Sequence, residues 1–175
     1  MPLSPEPGDF AAVRMAGNVG KLVELGEWLN GDGFREWGHA LVYVGGGQCL
    51  QAMPGGSDLV IRGVQPGDIW STGVIPIPDQ ARARAGEVAE ALTGIPYSWL
   101  DYQALIAHRL RIPVPGLQHY IADTFHEICS QLVDTFELRL GIHLYADGRW
   151  PGFVTPADLG NLLRSKGAVT VPDPP

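Results

Sequence analysis

Two side chains in this sequence have the types and settings that acyl-transfer chemistry requires. Cys129 lies in Thr124-Phe125-His126-Glu127-Ile128-Cys129-Ser130-Gln131-Leu132-Val133-Asp134, and His39 in Trp37-Gly38-His39-Ala40-Leu41-Val42-Tyr43-Val44-Gly45. A cysteine attacks carbonyl carbon as the thiolate, and the free N–H groups and positive dipole end of a helix's first turns favour that form. Thr124 reads as the cap of such a helix, and Glu127, three residues on, completes a capping box. Ile128, Leu132, Val133, Phe136 and Leu140 then recur at the spacing of one buried helical face, and Gly141 is the stop. A nucleophilic thiol also needs a base, which His39 supplies if its strand packs beside the helix. Taken alone, a helix cysteine such as Cys129 is more often a small buried hydrophobe than a nucleophile; the histidine strand is what favours the catalytic reading. Other candidates are weaker. The ring of His126, three residues away on the same helix, lies beside Cys129 and out of line with a reacting carbonyl. His108, His119 and His143 read as surface or hydrogen-bonded residues, Cys49 as strand filler, and Asp101 as a helix cap.

The elements that position the pair follow from periodicity and turn chemistry. Pro7-Gly8-Asp9 launches a strand over Phe10–Met15. Asn18 caps a helix reaching Leu29. A hairpin runs from His39–Val44 through Gly45-Gly46-Gly47 into Gln48–Met53. In it His39, Leu41 and Tyr43 share one face and Ala40, Val42 and Val44 the other, while Cys49, Gln51 and Met53 share a face of the second strand. Strands are expected at Leu59–Ile61 and Ile69–Ile75, around the turn Gln65-Pro66-Gly67-Asp68. A helix is expected over Asp79–Leu92, stopped by Gly94, and another from Ser98 to about Leu110. Thr155-Pro156-Ala157-Asp158 is a strong helix start, with Thr cap, Pro at the first position and Asp at the third, and that helix ends near Ser165. Ala168–Val171 reads as a last strand. A sheet-rich first half and a helix-rich second half argue for an α+β domain with a mostly antiparallel sheet.

Composition narrows the function classes. The chain has 175 residues, 45% hydrophobic and 18% charged, with net charge −7. It reads as one domain over residues 1–175, with 1–6 and 172–175 as flexible tails, and is large enough to bury a core without disulfides or metals. No Lys/Arg run supplies the basic stripe that nucleic acid needs. No stretch of 18 apolar residues can span a membrane. Two cysteines make no disulfide framework, and CxxC or His/Cys metal spacing is absent, so neither metal nor cofactor is expected. The N-terminus lacks a signal-peptide pattern. The expectation is a protein made in the cytoplasm, acting outside only if delivered by another route. Oligomeric state is open at this stage.

The order Pro7-Gly8-Asp9, Gly38-His39-Ala40-Leu41-Val42-Tyr43-Val44-Gly45, Leu50-Gln51-Ala52, Gly94-Ile95-Pro96-Tyr97-Ser98, Cys129-Ser130-Gln131-Leu132-Val133 and Thr155-Pro156-Ala157-Asp158-Leu159 resembles the circularly permuted branch of the NlpC-type papain-like cysteine hydrolases. The matches span residues 7–160. Each motif is short, and the specific signal is the order, with the histidine strand ahead of the cysteine helix. The resemblance implies a papain-like α+β fold, an antiparallel sheet packed against helices, with the nucleophile at a helix N-terminus. It assigns the nucleophile to Cys129, the base to His39 and the ring-orienting polar residue to Gln51. It also implies an oxyanion or substrate-lining role for Tyr97, with Trp37 and Ser130 beside the cleft; Trp37 and Trp99 read equally as core. Two departures stand out. Many permuted members carry Glu where this chain has Gln51, and the peptidoglycan peptidases of the unpermuted branch carry Asp at the position of Ile128. The implied substrates are peptides or amides, with cell-wall peptides one case. Acyl lipids or thioesters are an alternative, and a non-catalytic binding module is another.

Overall fold

The structure is a computed structural model that describes residues 3–14, 37–53, 55–95, 129–146 and 154–174. Five strands form one antiparallel sheet: β1 (Phe10–Val13), β2 (His39–Gly45), β3 (Gln48–Met53), β4 (Gly56–Ile61) and β5 (Ile69–Trp70), in the order β4-β3-β2-β1-β5. Four helices are described: α1 (Asp79–Arg82), α2 (Ala85–Leu92), α3 (Cys129–Leu140) and α4 (Pro156–Ser165). The domain is thus α+β, an antiparallel sheet packed against helices.

The β2–β3 hairpin forms where sequence places it, and its turn needs the glycines. Gly45, Gly46 and Gly47 have φ of 102°, 60° and 77°, a left-handed path that side chains with a Cβ resist. The strand alternation also holds. Ala40 and Val42 join Phe10, Ala12, Leu50 and Ala52 in a large core under the helices. Leu41 joins Ala11, Val13, Cys49 and Trp70 on the other face. This large core holds Leu132, Val133, Phe136, Leu159 and Leu163 from α3 and α4.

Several boundaries differ from the sequence expectation. β1 stops at Val13. β4 starts earlier, at Gly56, because it pairs with β3 from Met53↔Gly56 to Gln48↔Ile61. β5 has two residues; the apolar run to Ile75 leaves the sheet because Val74 and Ile75 donate their N–H groups back to the Ser71 carbonyl, both at 3.0 Å, forming a turn. The helix expected over Asp79–Leu92 is two helices, with Arg84 at φ −96°, ψ −4° as the cap that begins α2. Ala168–Val171 contributes one bridge, Thr170 to Ile69, instead of a strand. The expected helices at 18–29 and 98–110, and the capping box of Thr124 and Glu127, lie outside the described residues.

Helix ends carry the expected chemistry. Thr155 accepts from the Asp158 N–H and Asp158 from the Thr155 N–H, closing the capping box, and Pro156 opens α4. After Leu140, Gly141 takes φ 84° and the Ile142 N–H returns to the Glu137 carbonyl at 2.8 Å, which satisfies carbonyls a helix end otherwise leaves open. Glu6, assigned to a tail on sequence grounds, is tied down. Its N–H donates to Asp9 Oδ2 at 3.0 Å and its carboxylate lies 3.2 Å from Arg82 Nε.

Candidate active site

His39 is the first residue of β2 and 7% exposed. Its Nε2 lies 3.1 Å from Gln51 Oε1 on β3. An amide oxygen only accepts, so Nε2 carries the ring proton and Nδ1 keeps its lone pair, the group a base needs. The contact follows from register. Leu41 pairs with Gln51, so His39 is the next residue along the same face and the two side chains meet diagonally. The next strand continues the row, with Asp58 opposite Gln51.

Desolvation dominates the electrostatics of the ring. Burial lowers the His39 pKa from 6.5 to about 4; the Gln51 hydrogen bond raises it, the Arg62 charge lowers it and the Asp58 charge raises it. His39 is therefore neutral at pH 7. The sequence pattern, which starts β4 only at Leu59, does not point to Asp58. Pairing from Gly56 onward is the signal that would have placed it beside Gln51.

Cys129 is the first described residue of α3 and is 6% exposed. The direction of α3 sets which end of the sheet it faces. Gly8 donates to the Tyr43 carbonyl at 2.8 Å, near the end of β2. A Cβ on Gly8 would lie 3.6 Å from Leu140 Cδ1, at the end of α3. The C-termini of α3 and β2 are thus neighbours, and α3 packs along β2 and also touches β3 and α2. Its 12 residues cover about 17 Å at the helical rise, against about 20 Å for the 7 residues of β2. Cys129 therefore lies toward the His39 end of the sheet. The two side chains do not share a sheet face, however. His39 pairs with Val13, on the side of Leu41, whereas Cys129 belongs to the helix-side core.

The other candidates resolve as follows. Ser130 is fully buried and its hydroxyl donates to the Val154 carbonyl at 2.7 Å, tying the start of α3 to the segment before α4. Trp37 is fully buried as well; its Nε1 donates to the Gly67 carbonyl at 3.3 Å, and the Arg164 guanidinium lies 4.5 Å from its ring centroid. Of the two roles considered for Trp37, this is the environment of a core residue. Cys49 is buried, its Sγ 3.6 Å from the Arg62 carbonyl, and burial pushes its thiol up to about 11. His143 is exposed. Tyr97, Trp99, Asp101, His108, His119 and His126 lie outside the described residues. Among the described residues no group of three His, Cys, Asp or Glu side chains is arranged to hold a metal ion, and no helix is long and apolar enough to cross a membrane.

No family model matches the chain, and no curated protein is significantly similar to it. The functional reading therefore rests on the residues and their arrangement.

Proposed function

We propose that the chain is a cysteine hydrolase of the circularly permuted NlpC-type papain-like class, acting on an amide or peptide bond. The observation that carries this reading is the His39–Gln51 hydrogen bond at 3.1 Å, which fixes the imidazole tautomer with Nδ1 as proton acceptor. The direction of α3, which turns Cys129 toward the same end of β2, supports it.

In this mechanism the Cys129 thiol attacks the carbonyl carbon while His39 Nδ1 takes its proton. Because burial keeps the ring neutral at pH 7, the proton moves as attack proceeds, without a preformed ion pair. Charge then develops on the carbonyl oxygen, where backbone N–H groups at the start of a helix are suited to receive it. Tyr97 is the side-chain candidate for the same role by resemblance. The imidazolium returns its proton to the leaving amine, and water, activated by His39, releases the acyl-enzyme. Gln51 holds the ring but supplies no negative charge to the imidazolium. Ile128 replaces an acid that would hold a free amine, so amide substrates without a free N-terminal amine fit better than stem peptides that present one.

The test is thiol-directed labelling at pH 7 followed by a panel of muropeptides, simple amides, acyl lipids and thioesters. Cys129 should be alkylated well before Cys49, and Cys129→Ala should abolish turnover of any panel member that is cleaved. Equal labelling of both thiols, or turnover that survives Cys129→Ala, refutes the reading. Cleavage confined to lipids or thioesters would move the chain to the acyltransferase class of the same fold. Absence of turnover, with a native partner bound equally well by Cys129→Ala, would assign a binding module.

A further inference from the structure

At the far end of α3 from Cys129, Glu137 points into the core. It is fully buried, and neither carboxyl oxygen finds a hydrogen-bond partner among the described residues. Its surroundings are largely apolar. α2 turns Val88, Ala89 and Leu92 inward and keeps Arg84, Glu87 and Glu90 exposed, and β2 presents Ala40 and Val42 to the same core. Among the described residues the charged groups nearby are Asp134, one turn back on α3, with Asp9 before β1 and Arg82 of α1.

Arg82 already has partners. Its Nη1 donates to the Pro7 carbonyl at 2.9 Å and to Asp9 Oδ1 at 3.0 Å, and its Nε lies 3.2 Å from Glu6 Oε2. It clamps the Glu6-Pro7-Gly8-Asp9 turn, which also hangs on β2 through the bond from Gly8 N–H to the Tyr43 carbonyl. A carboxylate at Glu137 would therefore face two acids and one cation that is already engaged. A buried charge without a counter-ion is far costlier than a buried neutral acid.

We propose that Glu137 is carried as a neutral carboxylic acid and that its ionisation opens a pH-sensitive latch, drawing Arg82 away from the Glu6–Asp9 turn. The claim is independent of the catalytic reading. Burial is the first cause that raises the Glu137 pKa, from 4.5 to about 8; the Asp9 and Asp134 charges add to it and Arg82 opposes it. The sign follows. Below pH 4.5 folded and unfolded chains are both protonated at this group. Above it the unfolded chain loses the proton and the folded chain keeps it, so stability falls as pH rises toward about 8. His39 acts in the opposite direction, but only below 6.5. Among the described groups with a shifted pKa, the window from pH 6.5 to 8 therefore belongs to Glu137.

Denaturant unfolding of the intact chain and of Glu137→Gln across that window is the first measurement. The folding constant of the parent should fall by up to about tenfold per pH unit, and that of Glu137→Gln should lack this component. Infrared spectra should show a protonated-carboxyl C=O band at pH 6.5 that Glu137→Gln loses. The Gly8 and Asp9 amides, corrected for intrinsic exchange, should lose hydrogen-exchange protection above pH 8 in the parent and keep it in the variant. Parallel pH slopes, an unchanged infrared band, or a turn whose protection ignores pH would each overturn the latch. Should Glu137→Gln fail to fold, the infrared titration and amide exchange of the parent decide alone. A band disappearing near pH 8 together with loss of turn protection supports the latch, and either one missing refutes it.

Discussion

The two ends of α3 handle a buried ionisable group in opposite ways. At the Cys129 end, His39 is buried but partnered, with Gln51 on its Nε2 and Asp58 close by. At the Leu140 end, Glu137 is buried and without a hydrogen-bond partner among the described residues. Burial makes both neutral at pH 7, one by removing a proton and the other by retaining it. The difference is orientation. A hydrogen bond leaves His39 with one defined tautomer and one free lone pair, the requirement for a base. Glu137 has no such constraint, and its chemistry is limited to gaining or losing charge. A buried titratable group is thus a candidate catalyst when its neighbours aim it, and a pH-responsive structural element when they do not.

The strongest way to break this contrast is at His39. His39→Ala should lower turnover of a cleaved substrate by about 10²–10⁴-fold, the range for a general base, while leaving the alkaline instability due to Glu137 intact. His39 also makes the fold acid-sensitive, with the opposite sign to Glu137. Its folded pKa is depressed, so stability is fully present above 6.5 and is lost as pH falls through about 4. At about 1.36 kcal/mol for each unit by which a pKa moves, the lowering from 6.5 to about 4 amounts to about 3 kcal/mol. Urea midpoints of the parent and His39→Gln at acid and neutral pH check this; equal acid sensitivity would remove His39 as its source.

A second prediction separates the two ends through packing. A Cβ at Gly160 of α4 would collide with the Trp37 ring, and Trp37 stands two residues before His39. Gly160→Ala should cost about 1–3 kcal/mol, a melting temperature lower by roughly 2–4 °C per kcal/mol for a chain of this size. It should also reduce activity by displacing the start of β2. Melting curves and turnover, read together, check it, and the Glu137 pH response should persist. Normal melting with normal turnover would show that the ring makes room.

The smallest effect is at Gln51. A hydrogen bond that only aims the ring contributes about 1 kcal/mol, so Gln51→Ala should cost roughly five- to tenfold in kcat with little change in stability. Gln51→Glu should retain or raise activity, because a carboxylate also stabilises the imidazolium. A Gln51→Ala variant with unchanged kcat would leave the 3.1 Å contact without a catalytic role.

Legibility in the sequence tracked how local the determining forces are. The β2–β3 hairpin, the Gly141 stop and the Thr155/Asp158 box are legible in the sequence, because each is set by residues close together in the chain. The His39–Gln51 contact was reachable too, since alternation in a glycine-turn hairpin puts both on one face. Over Ile69–Ile75 the sequence predicts a longer strand than the two residues that form it. Its apolar run satisfies strand periodicity, but the return of Val74 and Ile75 to the Ser71 carbonyl wins locally. Asp58 and Glu137 were not singled out. Asp58 depends on where β4 begins its pairing with β3, and Glu137 on Asp9 and Arg82, more than fifty residues away in sequence. The opposite sheet faces of His39 and Cys129 were equally invisible, because they depend on which side α3 packs.

β1 has a further consequence, for the order in which the molecule can be built. This early strand lies between β2 and β5, and its first residue, Phe10, donates its N–H to the Ser71 hydroxyl at 2.9 Å. Until Ile69 and Trp70 arrive, β1 has one open edge, and until α3 and α4 follow, the helix-side core under the sheet is incomplete. Such long-range closure slows folding relative to a helical chain of equal size. During synthesis, at roughly 5–20 residues per second, the hairpin of β2 and β3 can form early, but the sheet must wait several seconds with apolar surface exposed. The kinetic weak point of this protein is therefore the interval between its sheet and the last helices that cover it, a period in which chaperone capture or self-association competes with folding.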